Sequence, residues 1–130
     1  MLNISNIINE WVEQVLRLPF TIENDQITDE TKDGACLRYD PAPAAERRYG
    51  DDTRLISWNM TYYIRCKKAA KARAYAYDIT NRLDGETIPD PDTQTKLEIE
   101  AQTTPQFIEK DDKGFTTYSA AIVCTYLEEN

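Results

Sequence analysis

One pair of carboxylates has the residue types and spacing for acid–base chemistry. Glu98 and Glu100 lie two positions apart in a predicted strand, so their side chains point to the same face. A glycosidase uses two carboxylates roughly 5–10 Å apart, with one of them in an apolar pocket. The sequence places no apolar pocket around this pair. The pattern therefore favours a solvated strand face over a hydrolytic site.

Metal and nucleophile chemistry are poorly supported. Asp90 and Asp92 flank Pro91 and could touch a cation, but the spacing of a calcium-binding loop does not follow them. The sequence contains no histidine, which excludes Ser-His-Asp triads, Cys-His dyads and histidine metal sites. It also contains no glycine-rich phosphate loop. We predict no catalytic residue, no metal and no cofactor; a small carboxylate-based hydrolase or ligand-binding domain stays as a remote alternative.

The three cysteines, Cys36, Cys66 and Cys124, are odd in number and form no CxxC motif. The first residues do not resemble a signal peptide, because no basic segment precedes an apolar run. No apolar run approaches the roughly 20 residues of a membrane span. We therefore expect a protein made in a reducing cytoplasm, with three buried thiols and no membrane partner.

Basic residues are concentrated where a predicted strand turns into a predicted helix. Five cations fall within nine positions that contain no acid: Arg65, Lys67, Lys68, Lys71 and Arg73. Positive charge at a helix N-terminus opposes the helix dipole, by about 0.3–1 kcal/mol for each exposed charge. The cluster is either a solvated face that tolerates this cost or a contact with an acidic surface, such as a neighbouring copy.

A second small cluster, Arg47, Arg48 and Tyr49, lies in the charged segment of residues 40–53. Two prolines, a glycine and six charges indicate a long loop between strands. Arg and Tyr are favoured at the centres of interfaces, so this loop is either a second contact surface or simply a surface loop.

Periodicity predicts the elements that position these residues. Apolar residues at helical spacing predict a helix over residues 4–18, ended by Pro19, and a second over 68–83. Strict alternation over 54–67 predicts a long strand, and weaker patterns predict strands at 20–22, 35–39, 96–104, 106–109 and 115–127. The order indicates an α+β fold: an antiparallel sheet with two helices packed on one face, the face bearing Trp58, Met60 and Tyr62.

Length and composition indicate the class of protein. The chain has 130 residues, 41% hydrophobic and 29% charged, which suits a single globular domain over residues 1–130. Its net charge of −8 disfavours general binding of DNA or of anionic membranes.

Three segments together carry a family resemblance. The first is the amphipathic helix with Trp11. The second runs from Tyr39-Asp40-Pro41 through the charged loop to Leu55-Ile56-Ser57-Trp58-Asn59-Met60 and the alanine-rich helix. The third combines Thr104-Pro105-Gln106-Phe107-Ile108, Asp112-Lys113-Gly114, Phe115-Thr116-Thr117-Tyr118-Ser119 and Thr125-Tyr126-Leu127-Glu128. In order and texture, these segments resemble the tail terminator proteins of long-tailed bacteriophages (siphophages and prophages), often called minor capsid proteins.

The resemblance implies a structural virion protein without an enzymatic site. Such a protein forms a ring, usually a homohexamer, that caps the tail tube, ends tube polymerisation and joins the head-side connector protein. DNA passes through the ring without sequence-specific binding. The expected partners are therefore other copies of the chain, the tail tube protein and the connector, at the head-proximal end of the tail, after assembly in the host cytoplasm. A head-completion or connector protein, or a tail tube subunit, is the alternative.

Overall fold

The two amphipathic segments fold into helices in the computed structural model, which describes residues 3–40, 45–48, 50 and 53–129. The first helix, α1 (Ile4–Leu16), buries Ile4, Ile8 and Val12 on one side. It ends two residues earlier than predicted, because Arg17 adopts a left-handed conformation with φ of 52°. The second helix, α2 (Ala69–Leu83), buries Ala72, Ala76, Ile79 and Leu83. Its alanines allow the helix backbone to approach the sheet closely.

The strands form one sheet around two long central members. They are β1 (Ile22–Asn24), β2 (Gly34–Tyr39), β3 (Ala45–Arg48), β4 (Thr53–Cys66), β5 (Thr87–Pro89), β6 (Lys96–Ala101), β7 (Gln106–Lys110) and β8 (Thr116–Glu129). The order is β1-β2-β4-β8-β6-β5, with β3 paired to β4 and β7 paired to β8. Strand β3 lies in the segment of residues 40–53 that was predicted as a loop, and β5 lies in a segment for which no strand was predicted. Prolines and charges in both segments conceal the short stretches that pair.

The sheet is mixed, so the prediction of a purely antiparallel sheet is wrong at one edge. Strand β1 runs parallel to β2, with Ile22 opposite Ala35, whereas the other pairings are antiparallel. Strand β1 is only three residues long, so the segment of residues 25–33 can run back along it to the start of β2. The two strands therefore pair in parallel, whereas a short hairpin turn would have made them antiparallel.

Strands β4 and β8 pair along their whole length, from Thr53 opposite Glu129 to Cys66 opposite Thr116. On the edge away from β8, β4 pairs with two short strands placed end to end, β2 and β3. In the same way, β8 pairs with β6 and β7 on the edge away from β4. The sequence has prolines at both interruptions, and proline cannot donate the ladder hydrogen bond that would continue the strand.

The core lies on one face of the sheet, here called the inner face, as predicted. Met60, Tyr62 and Ile64 of β4 are fully buried beneath the helices, while Trp58 is only partly buried at the margin of the core. Helix α2 packs on β4, β8 and β6, and α1 contacts α2 and both edge strands, β1 and β5. The sheet therefore curls around the helix pair. Its outer face is open to solvent except at the end near Arg65, which contacts Glu30 and the β7–β8 turn.

The three cysteines are buried and free, as the sequence predicted. Burial raises the pKa of Cys36, and raises that of Cys66 and of Cys124 to about 12. These thiols are packing residues and are not activated nucleophiles.

Candidate interaction surfaces

The predicted basic cluster is divided by the strand-to-helix corner. Arg65 projects from the outer face of β4 and is occupied within its own chain. Its guanidinium bonds the Asp111 carboxylate at 2.7 Å and the Glu30 carbonyl at 2.9 Å, and it lies 3.9 Å from the centre of the Phe115 ring. The hydrogen bond from Arg65 holds the pKa of Asp111 below its usual value. Arg65 therefore fastens the β7–β8 turn to the sheet.

Lys67 has a similar internal role. Its backbone N–H donates to Asp33 at 2.8 Å, and its ammonium donates to the Lys113 carbonyl at 2.5 Å. The ammonium also lies 5.1 Å from the centre of the Phe115 ring. Together these contacts tie the end of β4 to two loops, so Lys67 is not available to a partner without loss of local structure.

The other three cations, Lys68, Lys71 and Arg73, are exposed along the start of α2. Within the described residues, their side chains make no hydrogen bond and no ion pair. The first turn of α2 holds no acid, and its N-cap, Lys68, supplies no side-chain cap. This triad faces solvent at a helix end where its charge is least favourable, so an acidic partner would stabilise it.

The exposed face of α2 carries small residues between these cations. Ala70 and Ala74 are exposed, and Tyr77 follows them on the same side with 41% exposure. This face points away from the sheet, since α2 buries its opposite side. Residues of this kind let another protein surface approach the helix closely.

The second predicted cluster is only partly described. Arg47 and Arg48 belong to β3, whose backbone pairs with Leu55 and Arg54 of β4. Tyr49 lies outside the described residues. The segment therefore contains a β-hairpin arm in place of the continuous loop that the sequence indicated.

The two carboxylate pairs differ in their surroundings. Glu98 and Glu100 are exposed on the outer face, opposite Thr125 and Val123 of β8, and their side chains make no hydrogen bond or ion pair in the described part of the chain. Asp90 is buried and accepts a hydrogen bond of 2.5 Å from the Thr93 hydroxyl, which lowers its pKa. Asp90 thus stabilises its own turn.

The structure also exposes an apolar edge that the sequence analysis did not single out. Every residue of β7 is exposed, including Phe107 at 58% and Ile108 at 47%. A shift of register between Phe107 and Glu109 interrupts the pairing with β8. The sequence does contain one indication of this exposed edge, which is the adjacent pair Phe107 and Ile108. Neighbouring strand residues point to opposite faces, so these two cannot both reach one core.

Two grooves open on the solvent side of the sheet. The first, of about 430 Å³, lies between the loop of residues 25–33 and the β7–β8 turn, and Arg38, Tyr63 and Ile108 are among its lining residues. The second, of about 800 Å³, lies beside β6 and β8, with Leu55 and Leu127 along it and Glu98 at its rim. Across residues 3–40 and 53–129, no group of three or more acidic or cysteine side chains is arranged to hold a metal.

The family model for the Bacteriophage tail terminator protein matches residues 15–128. The chain belongs to the bacteriophage tail terminator family. No curated protein matches the sequence. The tail terminator chain also resembles solved structures, one of them in the virion of a native gene transfer agent particle, with 10% identity, a TM-score of 0.60 and coverage of 90% of this chain and 84% of that chain. A second solved chain, which carries no functional name, has 10% identity and a TM-score of 0.61 over 95% of this chain and 89% of its own.

Family membership makes this tail terminator chain a structural component of a bacteriophage tail, and thus of a virion. At 10% identity, the solved structures show that the fold is shared. Neither described helix of the tail terminator is long and apolar enough to span a membrane.

Proposed function

We propose that this chain forms a closed ring, a homohexamer, that caps the tail tube and ends its polymerisation. In this proposal residues 1–130 act as one domain, and the ring sits at the head-proximal end of the tail after assembly in the host cytoplasm. One face of the ring contacts the tail tube protein, and the other contacts the head-side connector protein. Family membership supports this assignment.

The observation that carries the proposal is the triad Lys68, Lys71 and Arg73, which is exposed and unpaired at the start of α2 in a chain of net charge −8. A chain with separate basic and acidic surfaces can join head to tail, and such contacts close into a ring when the rotation between copies allows it. Arg65 and Lys67 support the triad from within the subunit. Arg47 and Arg48 of β3, with Tyr49 of the same charged segment, are proposed to contact a neighbour or the tube.

The same charge balance suits a channel through which DNA passes. A net negative protein does not hold the phosphate backbone, so the ring would let DNA through without sequence-specific binding. We also propose that the ring has no enzymatic activity, no cofactor and no membrane partner. The acidic pair Glu98 and Glu100 then belongs to a solvated or subunit-facing surface.

The test is tube polymerisation in the presence of the purified protein. The solution mass should be six times the 15.0 kDa of one chain, and electron microscopy should show rings at one end of each tail tube. Added to growing tubes, the protein should stop their elongation at substoichiometric amounts relative to tube subunits.

Three other results would contradict the proposal. Self-polymerisation into tubes would indicate a tail tube subunit. Binding to connectors but not to tubes would indicate a head-completion protein. Hydrolysis that is lost on Glu98→Gln would indicate an enzyme.

A further inference from the structure

We propose that the exposed face of α2 in one subunit docks onto the acidic groove beside β6 in the next subunit. The donor surface consists of Lys68, Lys71 and Arg73 with the small residues between them. The acceptor surface, here called the β6 groove, is lined by Leu55 and Leu127 and bordered by Glu98, with Glu100 next to it on the same face. This inference rests on the proposed ring and specifies which surfaces hold it together.

The donor surface has the chemistry of a contact that is incomplete in the monomer. Its three cations have no hydrogen bond or ion pair among the residues that the structure describes. They flank Ala70 and Ala74, which leave the helix surface low and accessible, and Tyr77 adds an exposed aromatic ring. Tyrosine and arginine are among the residues that most often contribute the binding energy of protein interfaces.

The acceptor surface is opposite in charge to the donor surface and contains an apolar strip. Leu127 is 52% exposed on the outer face, directly across from Leu55, so two leucines lie side by side in a groove of about 800 Å³. Glu98 and Glu100 stand beside them on β6, unpaired within the described chain. Lys96 also lines the groove and leaves the two glutamates in excess.

The positions of the two surfaces on the subunit determine the symmetry. Helix α2 covers the inner face of the sheet, with its free side pointing away from it, whereas the β6 groove opens on the outer face. The two surfaces therefore lie on opposite sides of the molecule. A twofold dimer would have to bring both surfaces of each copy to one interface, which this arrangement prevents. Each copy can instead offer α2 to one neighbour and the groove to the other, as a ring requires.

The helix dipole makes glutamate a suitable partner for this end of α2. The first turn of α2 has unsatisfied backbone N–H groups and three nearby cations. Carboxylates from a neighbour would meet both kinds of positive charge at once. In the assembly, the N–H groups and the cations at the start of α2 would thus gain the partners that they lack in the single chain.

The experiment uses two charge-reversal variants of the full chain. Variant D carries Lys68→Glu and Lys71→Glu in the donor surface, and variant A carries Glu98→Lys and Glu100→Lys in the acceptor surface. Circular dichroism first checks that both fold. Each variant alone should need at least about tenfold more protein than the wild type for half-assembly, measured by sedimentation. An equimolar mixture should assemble as the wild type does, because alternating D and A copies restore opposite charge at every interface.

A third variant separates a specific pairing from a general charge effect. Variant C carries Lys32→Glu and Lys110→Glu, and it has the same net charge as D with an unchanged α2. C alone should assemble as the wild type does, because both of its proposed contact surfaces are unchanged. In an equimolar mixture with C, variant A should stay outside the rings. If variant D alone and variant A alone each assemble as the wild type does, or if C brings A into rings as well as D does, the α2-to-groove contact is wrong while the ring itself stands. If the wild type forms no ring, alone or on tail tubes, both the proposed function and this inference fail.

Discussion

The phenol of Tyr62 donates a hydrogen bond of 2.9 Å to Oδ1 of Asn9, in the middle of the core between β4 and α1. Tyr62 is fully buried, and burial raises the pKa of its hydroxyl far above the usual range. Asn9 in turn donates to Asn24 of β1 at 3.3 Å, and Asn24 donates to Asn6 at 2.7 Å. This polar chain links the centre of the sheet to α1 and the parallel edge strand, and so fixes their relative positions.

Removing the phenol oxygen should destabilise the subunit. In Tyr62→Phe, Asn9 loses a buried hydrogen-bond donor, so the free energy of unfolding should fall by about 1–3 kcal/mol. Urea unfolding followed by circular dichroism measures the change. Tyr63→Phe is the matched control, because the Tyr63 hydroxyl makes no hydrogen bond in the described structure, and its loss should change stability by less than about 0.5 kcal/mol. Equal effects of the two substitutions would show that the Tyr62–Asn9 bond does not stabilise the core.

The partly buried Trp58 should still contribute to the core. Its ring lies edge-on to Tyr39 at a centroid distance of 5.3 Å. Trp58→Ala should cost about 3 kcal/mol, the low end for a tryptophan truncation, because part of the ring is exposed. Its buried Nε1 has no hydrogen-bond partner in the described structure, so no such bond is lost. Denaturant melts beside Ile108→Ala, an exposed apolar residue outside the proposed contact, measure this effect. A loss below about 1 kcal/mol would show that Trp58 does not stabilise the core.

The Arg65–Asp111 contact predicts a dependence of stability on acid. Because the pKa of Asp111 is lower in the folded chain than its ordinary value of 3.8, the unfolded chain takes up the proton first. The contribution of this pair is therefore complete above about pH 4 and is lost as the pH falls through the folded pKa. In urea melts between pH 6 and pH 2, Asp111→Asn should decline less steeply than the wild type.

A second variant checks that Arg65 causes this effect. Arg65→Gln removes the donor that lowers the pKa of Asp111, so it should flatten the same part of the stability curve. Lys96→Gln makes an equal charge change away from Asp111 and should leave the slope unchanged. An unaltered acid slope in Arg65→Gln would mean that the pair does not contribute to acid stability.

The buried thiols should be unreactive in the native protein. Deprotonated thiols are the reactive form, and with pKa values of about 12 Cys66 and Cys124 form almost no thiolate at pH 8. A thiol reagent such as a chromogenic disulfide should label none of the three cysteines within minutes, and all three after denaturation. Lys32→Cys supplies an exposed thiol as a positive control. Rapid labelling of a native cysteine would indicate local opening of the sheet.

Much of the fold could be predicted because its main elements have local patterns. The alternation along β4 and the apolar stripe of α1 specify which residues face the core, and the structure confirms both. The parallel pairing of β1 could not be predicted, because a strand of three residues shows no periodic pattern. The path of residues 25–33 determines that β1 pairs with β2 in parallel. The register between β7 and β8 depends on the shift between Phe107 and Glu109, which no local sequence pattern indicates.

The five clustered cations indicated an interaction surface, which stays a prediction. Proximity in sequence did not reveal that Arg65 and Lys67 are used internally. Arg65 finds Asp111, which is 46 positions away, through the sheet register. Lys68 and Lys71 remain exposed because the chain changes from strand to helix between positions 66 and 69. Such long-range pairing is decided by tertiary structure.

The continuous pairing of β4 with β8 has a mechanical consequence. Fourteen residues in each strand make a ladder roughly 45 Å long, at about 3.3 Å per residue. Its hydrogen bonds run perpendicular to the strands, so a force that pulls one strand past the other loads them in shear and all together. Rupture along this direction requires many bonds to fail at once, whereas peeling from an end would break them one by one. The subunit is therefore stiffest along these two strands.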